Sequence, residues 1–312
     1  MPLPTDPLAL LDAVGEGDRR ALARLLTIVE EGRDGAGEVL RLAHQRGGGA
    51  HRIGLTGAPG AGKSSLADRL VTHVRERGEE IAVLAVDPTS PFSGGAVLGD
   101  RVRMQDHALD AGVYIRSMAS RGHLGGLSAA APKALAVMSA AGFPTLLIET
   151  VGVGQDEVEI AATADTVLVV VTPGWGDGIQ AAKAGILEIG DVFVVNKADR
   201  TGVDDAVADL RHMLALAESP DWEPPIVPTI AATGDGIDDL FEAIEAHRSH
   251  LGERGLEERR RRRRRAELEA ALMERLRRRA ASAADASDLT KAVEAGELDP
   301  WSAADEILEE TP

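Results

Sequence analysis

An apolar run at 53–56 leads straight into Gly57-Ala58-Pro59-Gly60-Ala61-Gly62-Lys63-Ser64, and a helical pattern begins near Lys63. The spelling G-x-x-x-x-G-K-S in that setting constrains the fold more than any other feature of the chain. Glycines let the backbone curl until successive N–H groups point inward, a geometry that suits phosphate oxygens. The following helix adds the partial positive charge of its N-terminus. Lys63 is then placed to bridge β- and γ-phosphates, and the Ser64 hydroxyl to ligate Mg²⁺. Such a loop requires a strand before it and a helix after it.

The rest of the chain supplies the sheet that this loop needs. Short aliphatic runs at 53–56, 81–86, 113–116, 146–149, 167–172, 192–195 and 226–230 alternate with helical patterns. Those patterns fall near 63–78, 100–110, 127–141, 178–189, 203–217 and 237–249. Strands apolar on both faces and separated by helices predict a mostly parallel sheet covered on both sides. The expected class is α/β, a P-loop NTPase with a central sheet flanked by helices. Residues 1–50 read as a helical segment, with Leu8, Leu11, Val14, Leu22, Leu25, Leu26, Val29, Val39, Leu40 and Ala43 at three- and four-residue spacing. Residues 51–250 form the P-loop domain. Residues 251–312 form a helical arm, with helices expected at 256–280, 288–296 and 301–310.

Asn196-Lys197-Ala198-Asp199 follows the run 192–195 and reads as the base site. At a strand end, the Asp199 carboxylate can accept from both N1–H and the exocyclic amine of guanine. Adenine has no donor at N1, so it would leave the carboxylate unpaired. GTP or GDP is therefore the expected nucleotide. A second base loop is expected after the last strand, at Ala231-Ala232-Thr233-Gly234. Ile230 stands where a Ser is usual, which leaves the contact to backbone amide.

Carboxylates lie between these sites. Asp87 closes the run 81–86, Asp100 follows a Gly-rich loop, and Glu149 closes 146–149 ahead of Gly152 and Gln155. Mg²⁺ takes oxygen ligands, several of them water, with one or two carboxylates. Ser64, Asp87, Asp100 and Glu149 are the candidate metal residues, not all of them direct ligands. Lys63, Asp100, Glu149 and Gln155 are the catalytic candidates: Gln155 for the attacking water, Gly152 for sensing the γ-phosphate. Arg101, Arg103, Arg116 and Arg121 are equivalent candidates for an arginine finger.

Composition removes other classes. With no cysteine among 312 residues, disulfides, thiolate metal sites and cysteine nucleophiles are excluded. The beginning of the chain does not read as a signal peptide, and no apolar run reaches the roughly 20 residues of a membrane span. A soluble cytoplasmic protein is expected. A net charge of −17 disfavours nucleic acid and anionic membranes, although 251–280 carries twelve Arg against six Glu. That arginine run reads as a solvated helix face, and a stripe of Leu268, Leu272 and Leu276 reads as a dimerisation surface. His247 and His250 read as compensating a helix C-terminus.

The switch segments are more distinctive than the two nucleotide motifs. Asp87-Pro88-Thr89-Ser90-Pro91-Phe92-Ser93-Gly94-Gly95, Leu98-Gly99-Asp100-Arg101-Val102-Arg103-Met104, Gly122-His123-Leu124-Gly125-Gly126 and Glu149-Thr150-Val151-Gly152-Val153-Gly154-Gln155 closely resemble the GTPases associated with methylmalonyl-CoA mutase. The resemblance spans about residues 8–300. It implies a homodimeric GTPase that chaperones an adenosylcobalamin-dependent acyl-CoA mutase, gating cofactor delivery and protecting or reactivating the enzyme. It puts the phosphate loop on Gly57 through Ser64 and Ser65, and the guanine motif on Asn196, Lys197 and Asp199. It puts Mg²⁺ and switch acids on Asp87, Asp100 and Glu149. A further switch resembles 173–183, with Asp177 and Lys183 as charged contacts to the mutase and Trp175 exposed. Two other readings are a metallochaperone GTPase, which the missing cysteines disfavour, and a transport-associated ATPase or kinase, which Asp199 disfavours.

Overall fold

The computed structural model describes residues 3–87, 104–107, 109–119, 130–150, 156–174, 187–216 and 221–309. Seven strands form one sheet: β1 His51–Gly57, β2 Ile81–Asp87, β3 Val113–Ala119, β4 Thr145–Thr150, β5 Thr166–Val171, β6 Val192–Asn196 and β7 Ile226–Thr229. Their order is β3-β2-β4-β1-β5-β6-β7, and every pairing is parallel. All seven expected runs are strands. The fold is that of a P-loop NTPase.

The two-sided burial follows from the pleat. Along β2, Ala82, Leu84 and Val86 enter one core while Ile81 and Val83 enter the other. The first core is closed by three N-terminal helices, α1 Pro7–Gly15, α2 Arg19–Glu31 and α3 Ala36–Arg46, together with α5 Ala131–Ala140. The second is closed by α4 Lys63–Glu76 and by Leu240, Phe241 and Ile244 beyond β7. Asp18 caps α2, accepting from the amides of Arg20 and Ala21 at 2.8 and 3.2 Å. Leu22, Leu25, Leu26 and Val29 then fall on the buried face of that helix. Burying four such side chains contributes on the order of 6–12 kcal/mol before the entropy of ordering them is subtracted. Two further helices, α6 Asp156–Thr163 and α7 Val203–Leu214, complete the layers.

Two expectations change. The pattern at 100–110 is not a helix where it is described: only Gln105–His107 turns, as a single 3₁₀ turn. Asp110 accounts for the end of that turn. Its carboxylate accepts from the Gly112 amide and from Arg75 of α4 at 2.8 and 2.9 Å, which draws the chain into β3. Arg116 is also no free finger. It lies on β3 with its guanidinium 2.6 Å from Glu30 of α2, over the core on that side.

The chain divides into compact units 1–260 and 261–312. The helical run α8 Ile237–Ala286 is interrupted at Gly252, whose φ of 56° and ψ of −171° are not helical. The two helices expected on either side of 250 meet at that residue. In the second unit α9 Asp288–Glu294 and α10 Pro300–Glu309 follow. Leu268, Leu272 and Leu276 there are 60%, 51% and 56% exposed. No helix among the described residues is long and apolar enough to cross a membrane.

Candidate nucleotide site

The loop between β1 and α4 can only be built from glycine at two points. Gly57 has φ 133°, and a Cβ there would lie 2.1 Å from the carbonyl oxygen of Val170 on β5. Gly62 has φ 93°, and a Cβ there would lie 2.3 Å from Nδ2 of Asn196. The loop therefore packs directly on the neighbouring strand and on the base motif, with no room for a side chain between. Lys63 is buried, and its ammonium donates to the carbonyls of Gly57 and Ala58 at 2.7 and 3.1 Å. It is folded back over the loop it belongs to, at the place where phosphate oxygens would compete for it.

Glu149 comes to the same place from β4. The register sets Leu55 of β1 opposite Glu149, and the carboxylate accepts from Ser64 Oγ at 2.6 Å with both residues buried. A buried hydroxyl beside a buried carboxylate is a set of hard oxygen donors of the type Mg²⁺ takes. Asp87 ends β2, next to β4, so its backbone lies at the same end of the sheet. Its side chain lies outside the described residues, as do Asp100, Gly152, Gln155, Asp177 and Lys183, and also His123 and Trp175.

Asn196, at the end of β6, joins the phosphate loop to the base loop. Its Nδ2 donates to the Ala61 carbonyl at 2.8 Å, while Oδ1 accepts from the Ala231 amide at 3.1 Å and the Thr229 hydroxyl at 3.2 Å. Lys197 takes a left-handed φ of 61° and donates to the Gly60 carbonyl at 2.6 Å. The Ala198 amide reaches the Thr229 carbonyl at 3.0 Å, and Asp199 is left exposed beyond it. Beyond Ile230, Ala231 and Ala232 begin a turn closed by an Ile230–Asp235 bridge. The structure thus brings Gly57 through Ser64, Glu149, Asn196 to Asp199, and Ala231 and Ala232 to one end of the sheet, where the strands finish. Ser65 is exposed on the first turn of α4.

Two groups escaped the sequence reading. Arg69 of α4 donates to the carbonyls of Ala231 and Ala232 at 2.9 and 2.7 Å. At the opposite end of the strands, His51 Nε2 and His247 Nδ1 each lie 2.9 Å from Thr166 Oγ1. His247 Nε2 is 3.2 Å from Asp191, whose carboxylate also takes a bidentate pair from Arg259 at 2.7 and 2.8 Å. His247 is fully buried rather than compensating a helix end, and Arg259 is no part of a solvated face. Burial raises the Asp191 carboxyl, but bonds from His247 and Arg259 outweigh it and hold the group below its usual range. Burial pushes His51 down to about 4. Only the i,i+3 spacing of the histidines hinted at this cluster.

Strand, glycine loop and helix in a parallel sheet, with a second loop stitched to the first, define the class: a P-loop nucleotide-binding protein. The profile described as Methylmalonyl Co-A mutase-associated GTPase MeaB matches residues 22–285, and the chain belongs to that family. A candidate GTPase of Pyrococcus horikoshii is 47% identical over 96% of this chain and 96% of its own. The GTPase ArgK of Escherichia coli is 36% identical over 77% of this chain and 75% of its own. A solved LAO/AO transport system kinase superposes with a TM-score of 0.69 at 25% identity, over 97% of this chain and 96% of that one.

Proposed function

We propose that this chain binds GTP with Mg²⁺, hydrolyses it, and uses that cycle to chaperone an adenosylcobalamin-dependent acyl-CoA mutase of the methylmalonyl-CoA mutase type. The observation that carries the nucleotide reading is the Asn196 junction. One buried amide holds the phosphate loop through Ala61 and the base loop through Ala231, so both halves of a nucleotide meet a single prearranged surface. Asp199 stands exposed beyond it, available to the N1–H and amine of guanine.

In this reading Lys63 leaves the carbonyls of Gly57 and Ala58 for the β- and γ-phosphates. Ser64 and Glu149, with Asp87 and Asp100, would hold Mg²⁺ directly or through water. The ion supplies neutralisation of charge on the phosphates. Gly152 and Gln155 would report and use the γ-phosphate, and Asp177 and Lys183 would relay its state to the mutase. The apolar stripe Leu268, Leu272 and Leu276 would join two copies in a homodimer. Membership of the family supports the mutase as partner.

The test is GTP turnover with and without purified adenosylcobalamin-dependent acyl-CoA mutases. Stimulated turnover and a stable complex with one of them are expected. Turnover on GTP indifferent to every mutase, with no complex, overturns the chaperone role and leaves the GTPase. Turnover on ATP in preference to GTP overturns the nucleotide reading as well.

A further inference from the structure

The helix that follows the phosphate loop also holds the base loop. Leu66 and Leu70 of α4 are buried in the core, while Arg69 and His73 face the chain beyond β7. His73 lies 3.1 Å from Asp238 and 4.5 Å, centroid to centroid, from the Phe241 ring. Arg69 reaches further along the same segment. Its Nε donates to the Ala231 carbonyl and its Nη2 to the Ala232 carbonyl. Among the described residues no carboxylate lies within ion-pair range of Arg69, so its fork is held by these two carbonyls.

We propose that Arg69 is a positioning residue for guanine recognition, turning the Ala232 amide toward the base. The argument is geometric. In a trans peptide the carbonyl of one residue and the N–H of the next point in opposite directions. Arg69 draws the Ala231 carbonyl toward α4, so the Ala232 N–H is directed away from the helix. The Ala231 amide is already taken by Asn196. The Ala232 amide has no acceptor among the described residues. It is the free donor of a turn clamped from both sides, by Arg69 and by the bridge between Ile230 and Asp235.

Guanine offers an acceptor, its C6 carbonyl, next to the two donors that suit Asp199. Adenine has a donor amine in that place, which the Ala232 amide would repel. Arg69 therefore adds to the same discrimination from the other side of the ring. It also accounts for Ile230, which has no hydroxyl to brace the turn: the brace comes from the helix. The planar fork of Arg spans two carbonyls, whereas the single ammonium of Lys cannot fix both. This inference rests on the guanine reading of the site.

The experiment compares GDP, 6-thio-GDP and inorganic pyrophosphate on the full chain carrying Arg69→Ala, Arg69→Lys or Asp199→Ala, with ADP titrated alongside as the measure of base preference. In 6-thio-GDP the C6 acceptor is a poorly accepting sulfur, and the groups facing Asp199 are kept. Arg69→Ala should weaken GDP about tenfold, the worth of one buried hydrogen bond at its upper range. The preference for GDP over 6-thio-GDP should collapse toward one, with pyrophosphate unchanged. Arg69→Lys should fall between, and keeps the test open if the alanine variant folds poorly. GDP binding within twofold of wild type in both Arg69 variants overturns the inference. An equal loss for all three ligands, which would mean general damage to α4, overturns it too. Asp199→Ala separates the two levels. If it leaves the preference for GDP over ADP intact, the guanine reading itself fails and takes this inference with it. If it abolishes that preference while Arg69→Ala binds as wild type, only the role of Arg69 fails.

Discussion

Replacing Asn196 by Ala is the most informative single perturbation of the site, because three bonds converge on one buried amide. The Ala61 carbonyl, the Ala231 amide and the Thr229 hydroxyl each lose a partner at 2.8 to 3.2 Å. Each such bond is worth about 1 kcal/mol net, and a partner left buried and unsatisfied costs about 1–3 kcal/mol. Some of the three will find water at the emptied site, so a total near 3 kcal/mol is expected. For a unit of this size, 1 kcal/mol moves Tm by about 2–4 °C, so the nucleotide-free protein should melt roughly 10 °C lower. Affinity should fall as well, since the phosphate and base loops are no longer held in register. Thermal unfolding with and without saturating GDP, together with a GDP titration, measures both. Asn196→Asp keeps the acceptor toward Ala231 and Thr229 but sets a carboxylate against the Ala61 carbonyl. It should therefore hurt GDP affinity more than it hurts Tm. An Asn196→Ala protein that melts within 2 °C of wild type and binds GDP within twofold would refute the junction as the organising element.

Gly62→Ala puts a methyl 2.3 Å from the Asn196 amide on a left-handed backbone, and GDP binding should drop by about tenfold or more, read by titration. Ser64→Ala should abolish the gain in nucleotide affinity on adding Mg²⁺, with binding in Mg²⁺ matching that in chelator; a retained gain would place the metal elsewhere. His51 stays neutral in the fold down to about pH 4, while in the unfolded chain it takes a proton below about 6.5. The unfolded state thus binds more protons in that window, so stability is full above pH 6.5 and falls toward pH 4, by roughly 3 kcal/mol. Chemical denaturation at pH 7.5 and 5 should show about 2 kcal/mol of that fall in wild type and a smaller one in His51→Gln.

The seven strands were legible because a strand buried on both faces is apolar over most of its length, as Val192 to Val195 and Val167 to Val171 are. The phosphate loop was legible because its glycines are forced by backbone geometry that no other residue tolerates. Among the described residues of 104–110 the expected helix gives way to a single 3₁₀ turn, whose end is decided by Asp110 accepting from Arg75, a contact 35 residues distant. Arg69 left no local trace for the same reason: its partners lie 162 and 163 residues away. The His51, His247, Asp191 and Arg259 cluster joins four stretches of chain that only the folded sheet brings together.

The central claim is that the loop at Gly57 and the acid at Asp199 form one guanine nucleotide site, and a swap of base specificity tests it directly. Asp199→Asn replaces an acceptor with a donor, which suits the C2 carbonyl of xanthine in place of the amine of guanine. Titrating wild type and the variant with GDP, XDP and ADP should show wild type preferring GDP and the variant preferring XDP, with pyrophosphate affinity equal in both. A variant that keeps its preference for GDP, or a wild type that binds ADP as tightly as GDP, would contradict the account.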